Sequence, residues 1–191
     1  MPCSRIYHMR LKRKFFERGA EEVARELLGK VLVRVIRERG VIRAIITETE
    51  AYVGEHDLAS HVRFGRTKRN EVMYGKGGGV YMFFTYGVHW MLNFVTSRVD
   101  DPQAVLIRGL RIEGGVTSQS INGPGKVTKY LQLDGSFYCE NLETSDRLWV
   151  EDSGQARMTN VEVVTTSRIG VPYAKQWKNK KLRFLLRSGT K

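Results

Sequence analysis

Val41-Ile42-Arg43-Ala44-Ile45-Ile46-Thr47-Glu48-Thr49-Glu50-Ala51-Tyr52 is the stretch that decides how this chain is read. Val41 to Ile46 is apolar and rich in β-branched residues, which predicts a buried strand. Side chains on a strand alternate between its two faces. Glu48, Glu50 and Tyr52 therefore share one face, and Thr47, Thr49 and Ala51 share the other. Two carboxylates and a ring at the end of a buried strand are costly unless polar groups engage them. The alternative is a strand that leaves the core with both glutamates in water.

The flanking sequence supplies more strands than helices. Phe16, Ala20, Val23, Ala24, Leu27 and Leu28 recur at helical spacing and predict one helix over 15–28, capped by Gly29. Strands are predicted over 31–36, 80–84, 89–95, 104–110, 148–150, 161–164 and 183–186, and Thr85-Tyr86-Gly87-Val88 joins the second and third as a hairpin. Residues 54–70 read as a polar loop with room for a short helical piece, and 114–125 as a glycine-rich loop. Pro124 then opens a helix reaching about Leu131. Hairpin connections favour an α+β domain: a mixed, largely antiparallel β-sheet flanked by helices, with a protruding β-hairpin.

The 191 residues suit one domain, 1–191, with a substantial core. No apolar run approaches the roughly 20 residues that span a bilayer, and Met1-Pro2-Cys3-Ser4-Arg5 is not followed by the apolar centre of a signal peptide, so an intracellular location is expected. Cys3 and Cys139 give neither a disulfide framework nor a metal-site spacing and are expected to be reduced thiols. The net charge of +12 points to a polyanionic partner. Its clusters are Arg10-Lys12-Arg13-Lys14, Arg63-Arg66-Lys68-Arg69, and the lysines and arginines between Lys175 and Arg187. A solvated basic surface without a specific partner is the plainer reading.

Several constellations could carry chemistry. Tyr86 sits at the predicted hairpin tip, where an aromatic ring forgoes burial, as do wedges that unstack bases; the alternative has it folded back on its own sheet. His61, followed by Arg63, Arg66, Lys68 and Arg69, suits a pocket that stacks a base while cations hold phosphates, against an exposed loop with an uncommitted histidine. Pooling Glu48, Glu50, His56 and His61 as metal ligands finds no standard spacing. Gly123-Pro124-Gly125-Lys126 could offer amides to a phosphate, yet it is not a P-loop, and Gly77-Gly78-Gly79 precedes a strand, so it is not a dinucleotide fingerprint. Arg108, at the end of Ala104-Val105-Leu106-Ile107, could keep a neighbouring carboxylate ionised or could lie exposed.

Taken in order, these segments resemble the alkyladenine (3-methyladenine, methylpurine) DNA glycosylases. The matching pieces are Arg10-Leu11 with Phe15-Phe16, 27–33, Glu48-Thr49-Glu50-Ala51-Tyr52, Ala59-Ser60-His61, 65–70, Met73, the hairpin from Val80 to Asn93, 104–108, Gly123-Pro124 with Lys126, Arg168-Ile169-Gly170-Val171 and Leu182-Arg183-Phe184. The resemblance covers nearly the whole chain. It implies that Glu50 is the general base activating water against the sugar C1′, with Arg108 and the Ile169 carbonyl holding that water. It implies that Tyr52, His61 and Phe83 wall the pocket of a flipped base, that Ala59 lies in that pocket, and that Asn93 rejects the amino group of guanine. It further implies that Tyr86 fills the gap left in the duplex and that Arg66, Lys68, Arg69, Met73 and Lys126 fall among the DNA contacts. Glu48 is expected to be a supporting carboxylate.

This sequence departs from the family pattern where Phe83 replaces a frequent tyrosine, in a basic loop one residue shorter than in vertebrate members, and in the glycine run before the hairpin. The implied activity is base-excision repair of double-stranded DNA containing alkylated or deaminated purines. A monomeric enzyme would leave an abasic site, with no cofactor and no metal, in the cytoplasm (nucleoid-associated) or nucleus. A non-catalytic damaged-DNA or RNA-binding module on the same fold is the competing reading.

Overall fold

The predicted strand does not stop at the acidic motif but carries it into the centre of the sheet. The computed structural model describes residues 9–113, 119–152 and 161–188. In chain order the elements are α1 (Arg13–Phe16), α2 (Ala20–Leu27), β1 (Val31–Ile36), β2 (Gly40–Tyr52), β3 (Val80–Thr85), β4 (His89–Thr96), β5 (Gln103–Ile112), β6 (Ser120–Asn122), α3 (Pro124–Tyr130), β7 (Leu148–Glu151), β8 (Val161–Thr166) and β9 (Arg183–Ser188). Every strand pairing among the described residues is antiparallel. The order is β3-β4-β5-β2-β1-β7, with β6 on β5, β9 on β2, and β8 outside β9. This is the α+β architecture expected from the hairpin connections.

β2 is long enough to use two neighbours along one edge. Its first half pairs with β1, from Val31↔Ile45 to Ile36↔Gly40, and its second half pairs with β9, from Glu48↔Leu185 to Glu50↔Arg183. β5 runs along the other edge, and the register slips between Ile46 and Thr49, a bulge at Glu48. A bulge bends the strand and re-aims its side chains. Gly109 stands opposite: a Cβ there would lie 2.8 Å from the Glu48 Cβ and from the Thr47 Oγ1. The missing side chain lets the bulged strand and β5 close on each other.

The core lies between the helices and one sheet face. Ala20, Val23, Ala24 and Leu27 of α2 have no exposed surface, and the Thr49 hydroxyl, on the helix side of β2, donates to the Ala24 carbonyl at 2.8 Å. The periodicity over 15–28 is correct, but the single helix is not. The Ser97 N–H donates to the carbonyls of both Phe16 and Arg18, and the Gln103 side chain accepts the Ala20 N–H at 2.8 Å. Tertiary partners thus take the backbone groups that would have continued the helix, so the chain breaks at 17–19. Gly77 explains part of the glycine run, since a Cβ there would sit 2.8 Å from the Phe16 carbonyl.

The hairpin forms as read. The Val88 N–H donates to the Thr85 carbonyl, and Tyr86 (φ 50) and Gly87 (φ 66) adopt the positive φ values of the turns that suit twisted strands. Within the loop predicted over 114–125, residues 114–118 lie outside the described residues, Ser120–Asn122 adds a short strand, and Pro124 is the first residue of α3. The 54–70 segment is a series of turns, and its short helical piece falls just beyond it, at Glu71–Tyr74. Cys139 is a free, exposed thiol; Cys3 lies outside the described residues. No helix among the described residues is long and apolar enough to cross a membrane.

Candidate active site

Alternate residues of three strands line one cavity of about 450 Å³: Tyr81, Phe83 and Thr85 from β3, His89, Met91 and Asn93 from β4, and Ala104, Leu106 and Arg108 from β5. The two-residue period of a strand aims each set at the same space. Tyr52, Ala59, Ser60, His61, Met73, Tyr86 and Pro124 close the rest with the 169–173 segment. The volume falls within the range of small-ligand sites.

Glu50 lies behind this wall with no exposed surface. Its Oε1 accepts the Ile169 N–H at 2.8 Å and lies 3.3 Å from the Arg108 Nε, and its Oε2 accepts the Tyr52 hydroxyl at 2.9 Å. Burial raises the Glu50 pKa; Arg108, the Ile169 N–H and the Tyr52 hydroxyl pull it back. Burial and the Glu50 charge push the Tyr52 hydroxyl well above its ordinary range, so it remains a donor.

Glu48 shares the Glu50 face, as alternation requires, and is almost as deeply placed. Its Oε1 accepts from the Arg108 Nε at 2.8 Å and from the Arg183 Nε at 2.6 Å. Two carboxylates and two guanidiniums, from β2, β5 and β9, thus form one buried chain. The competing expectation, both glutamates in water, is excluded by this burial.

The aromatic walls are fixed from behind. His61 and Phe83 meet edge to face, with centroids 4.4 Å apart, so they form a corner of the cavity rather than two parallel plates. The Tyr81 hydroxyl lies 2.9 Å from the His61 Nδ1. Burial, then Arg69 and Arg63, lower the His61 pKa to about 4, so the ring is neutral at pH 7. The Arg168 guanidinium stacks on Tyr52 at 4.8 Å, donates to the Ala51 carbonyl at 2.9 Å, and grips Asp57 with both terminal nitrogens. Asp57 also accepts the Val53 and Ala59 N–H groups, so one buried ion pair anchors Tyr52 and the loop that carries His61.

This geometry can be set beside known proteins. The methylpurine-DNA glycosylase family model matches residues 14–190. The chain belongs to this family. Among curated relatives, each provisionally named a 3-methyladenine DNA glycosylase, one from Psychrobacter cryohalolentis is 37% identical, covering 97% of this chain and 95% of its own. One from Anaeromyxobacter sp. is 42% identical, covering 93% and 89%, and one from Legionella pneumophila (strain Corby) is 38% identical, covering 93% and 94%.

The glycosylase gathers Arg108, Ile169, Tyr52, His61, Phe83, Asn93 and Ala59 around one cavity, and Glu50 lies behind it, held by three of them. Ile169 meets Glu50 through its N–H, a contact the resemblance did not anticipate. The Asn93 amide donates to the Tyr81 and Met91 carbonyls, which fixes its orientation. Tyr86 is 94% exposed, so it does not fold back on its sheet.

One expected DNA contact needs correction. Met73 is 2% exposed and packs with Val62, Tyr74 and Tyr81; it is a wall residue, because a buried thioether cannot reach a phosphate backbone. Arg66 stays exposed, with Glu71 at 2.9 Å and Asp100 at 3.4 Å as surface partners. Lys68, Arg69 and Lys126 are exposed, and the Arg69 guanidinium stands 5.7 Å from the Phe83 ring centre.

The sequence reading gave no site role to Tyr81, Asp57, Arg168 or Arg183. Arg168 and Arg183 belong to the matched motifs, but nothing local to Asp57 or Tyr81 signals their partners, which lie 111 and 20 residues away. The metal pool does not assemble, because Glu48 and Glu50 are held by arginines and His56 packs against Trp177.

Proposed function

We propose that this chain excises alkylated and deaminated purines from double-stranded DNA by a water-mediated attack that Glu50 directs, leaving an abasic site. The observation that supports this most is the Glu50 carboxylate. It is fully buried, pushed toward the basic side, and oriented by three donors behind an aromatic cavity with room for a purine. Carboxylates kept more basic by burial suit general-base work.

The damaged nucleotide turns out of the duplex at a cost of roughly a few kcal/mol, least for a mispaired or damaged base. Tyr52, Phe83 and His61 then surround the base, and aromatic stacking of roughly 1–3 kcal/mol per base favours it over water. Asn93, locked by two backbone carbonyls, presents a fixed shape that excludes the extra amino group of guanine. As the glycosidic bond stretches, positive charge grows at C1′, and the ionised Glu50 stabilises it. Tyr52 is the group on Glu50 Oε2; with that hydroxyl exchanged for a water, the water oxygen bonds to C1′, Glu50 takes its proton, and the base leaves with the electron pair of the broken C1′–N bond. Arg108 and Ile169 hold the other oxygen so that Oε2 keeps its aim. Glu48 supports Arg108 from behind.

A cationic alkylated base leaves without help. His61, neutral at pH 7, is a poor acid for a neutral base, so alkylated purines leave faster. The substrate class fits an enzyme that meets DNA in the cytoplasm or nucleus. The test is base release from a panel of duplexes bearing 3-methyladenine, 7-methylguanine, hypoxanthine or ethenoadenine. Release of at least one base, lost with Glu50→Gln, supports the reading; release of none overturns it in favour of a binding module.

A further inference from the structure

Four aromatic side chains are exposed among the described residues, in two pairs. Phe84 and Tyr86 belong to the hairpin; Phe64 and Tyr173 belong to the loops beside the cavity. Phe64 has no part in the reading above. Tyr173 lines the cavity, and its hydroxyl reaches the Ala59 carbonyl at 3.4 Å. The Arg63 guanidinium lies 5.0 Å from the Tyr173 ring centre and 4.4 Å from that of Phe64, and it donates to the Ser60 carbonyl at 3.1 Å. Tyr173, Arg63 and Phe64 therefore form a stack running outward from the cavity wall, ending in a ring that is 82% exposed.

This stack stands on a braced loop. The buried Asn70 amide donates to the His61 carbonyl at 3.2 Å and to the Gly65 carbonyl at 3.0 Å, and its oxygen accepts the Thr67 N–H at 2.7 Å. Phe64 is thus displayed on a fixed support beside a cation. The chain's +12 charge and the Arg63 guanidinium suit a polyanion.

We infer that Phe64 is a stacking platform for an unpaired base of the lesion-bearing strand, next to the nucleotide in the cavity. In an intact duplex, ring faces are covered by their neighbours, so an exposed phenyl ring gains stacking only from a base outside the helix. Single-stranded or frayed DNA offers such bases. Arg63 holds one face of Phe64 and leaves the other to the base, and a guanidinium within a π-stack strengthens it. The inference rests on the DNA glycosylase reading. It gives the protein a second mode of engagement, single-strand capture, distinct from the duplex opening assigned to Tyr86.

The test uses the full chain with an ethenoadenine-bearing oligonucleotide, single-stranded and as a duplex. Phe64→Ala is expected to raise KM on the single strand about tenfold and on the duplex no more than about threefold, and Phe64→Trp to restore the single-strand value. Equal losses on both substrates would replace stacking with a backbone contact and overturn the inference, as would failure of the tryptophan to rescue. If the unaltered protein releases no base, the glycosylase reading fails. Gel-shift binding by the Glu50→Gln protein, with and without Phe64→Ala, on the same two oligonucleotides then decides the Phe64 platform separately.

Discussion

The Arg108 Nε lies 2.8 Å from the Glu48 Oε1 and 3.3 Å from the Glu50 Oε1, so one guanidinium serves both carboxylates of the motif. Arg183 engages Glu48 at 2.6 Å from the other side. Glu48 therefore takes up part of the positive charge that would otherwise depress the Glu50 pKa. In Glu48→Gln, Arg108 is left to Glu50 and a neighbouring negative charge is gone; both changes favour ionised Glu50. The acid limb of the pH–kcat profile should move down. In Arg183→Gln a positive charge is lost, and the limb should move up. Purely structural roles would lower activity in both variants without opposite shifts.

Tyr86 holds a positive φ and is 94% exposed, a strained and unburied position for a ring. As a wedge it opposes return of the extruded base. Tyr86→Ala should lower base release from a paired lesion more than from a single-stranded one, by roughly tenfold against little change. Single-turnover rates on both substrates measure this, and equal losses would remove the wedge role.

His61 contributes a pH-dependent term to stability. Its pKa falls from 6.5 to about 4 on folding. The unfolded chain thus takes up a proton at higher pH than the folded one. The contribution of His61 is complete above about 6.5 and is lost as pH falls toward about 4. His61→Gln should flatten the loss of stability across that window in urea titrations. An unchanged slope would assign the acid sensitivity to other groups.

Much of this was legible in the sequence because it is local. The alternation that puts Glu48, Glu50 and Tyr52 on one face holds, and Pro124 and Gly87 fall where their φ preferences require. The helix break at 17–19 was hidden, since its cause is the Ser97 N–H and the Gln103 side chain far along the chain. Met73 was misplaced for a similar reason: a matching motif does not reveal burial. The role of Glu48 became readable only when β9 brought Arg183 beside it.

Glu50→Gln tests the central claim most directly. Burial raises the folded-state Glu50 pKa above its unfolded value. The proton therefore favours the native state, and that stability is complete below the unfolded value and lost as pH rises through the folded one. Removing the charge should then stabilise the protein at pH 7, as active-site charges often cost stability. The measurement is single-turnover base release by Glu50→Gln, beside its affinity for the same lesion duplex and its melting temperature. The expected result is a loss of release of at least about a thousandfold, with binding retained and melting unchanged or raised by a few degrees. Base release at near the unaltered rate by a folded Glu50→Gln protein would contradict the account.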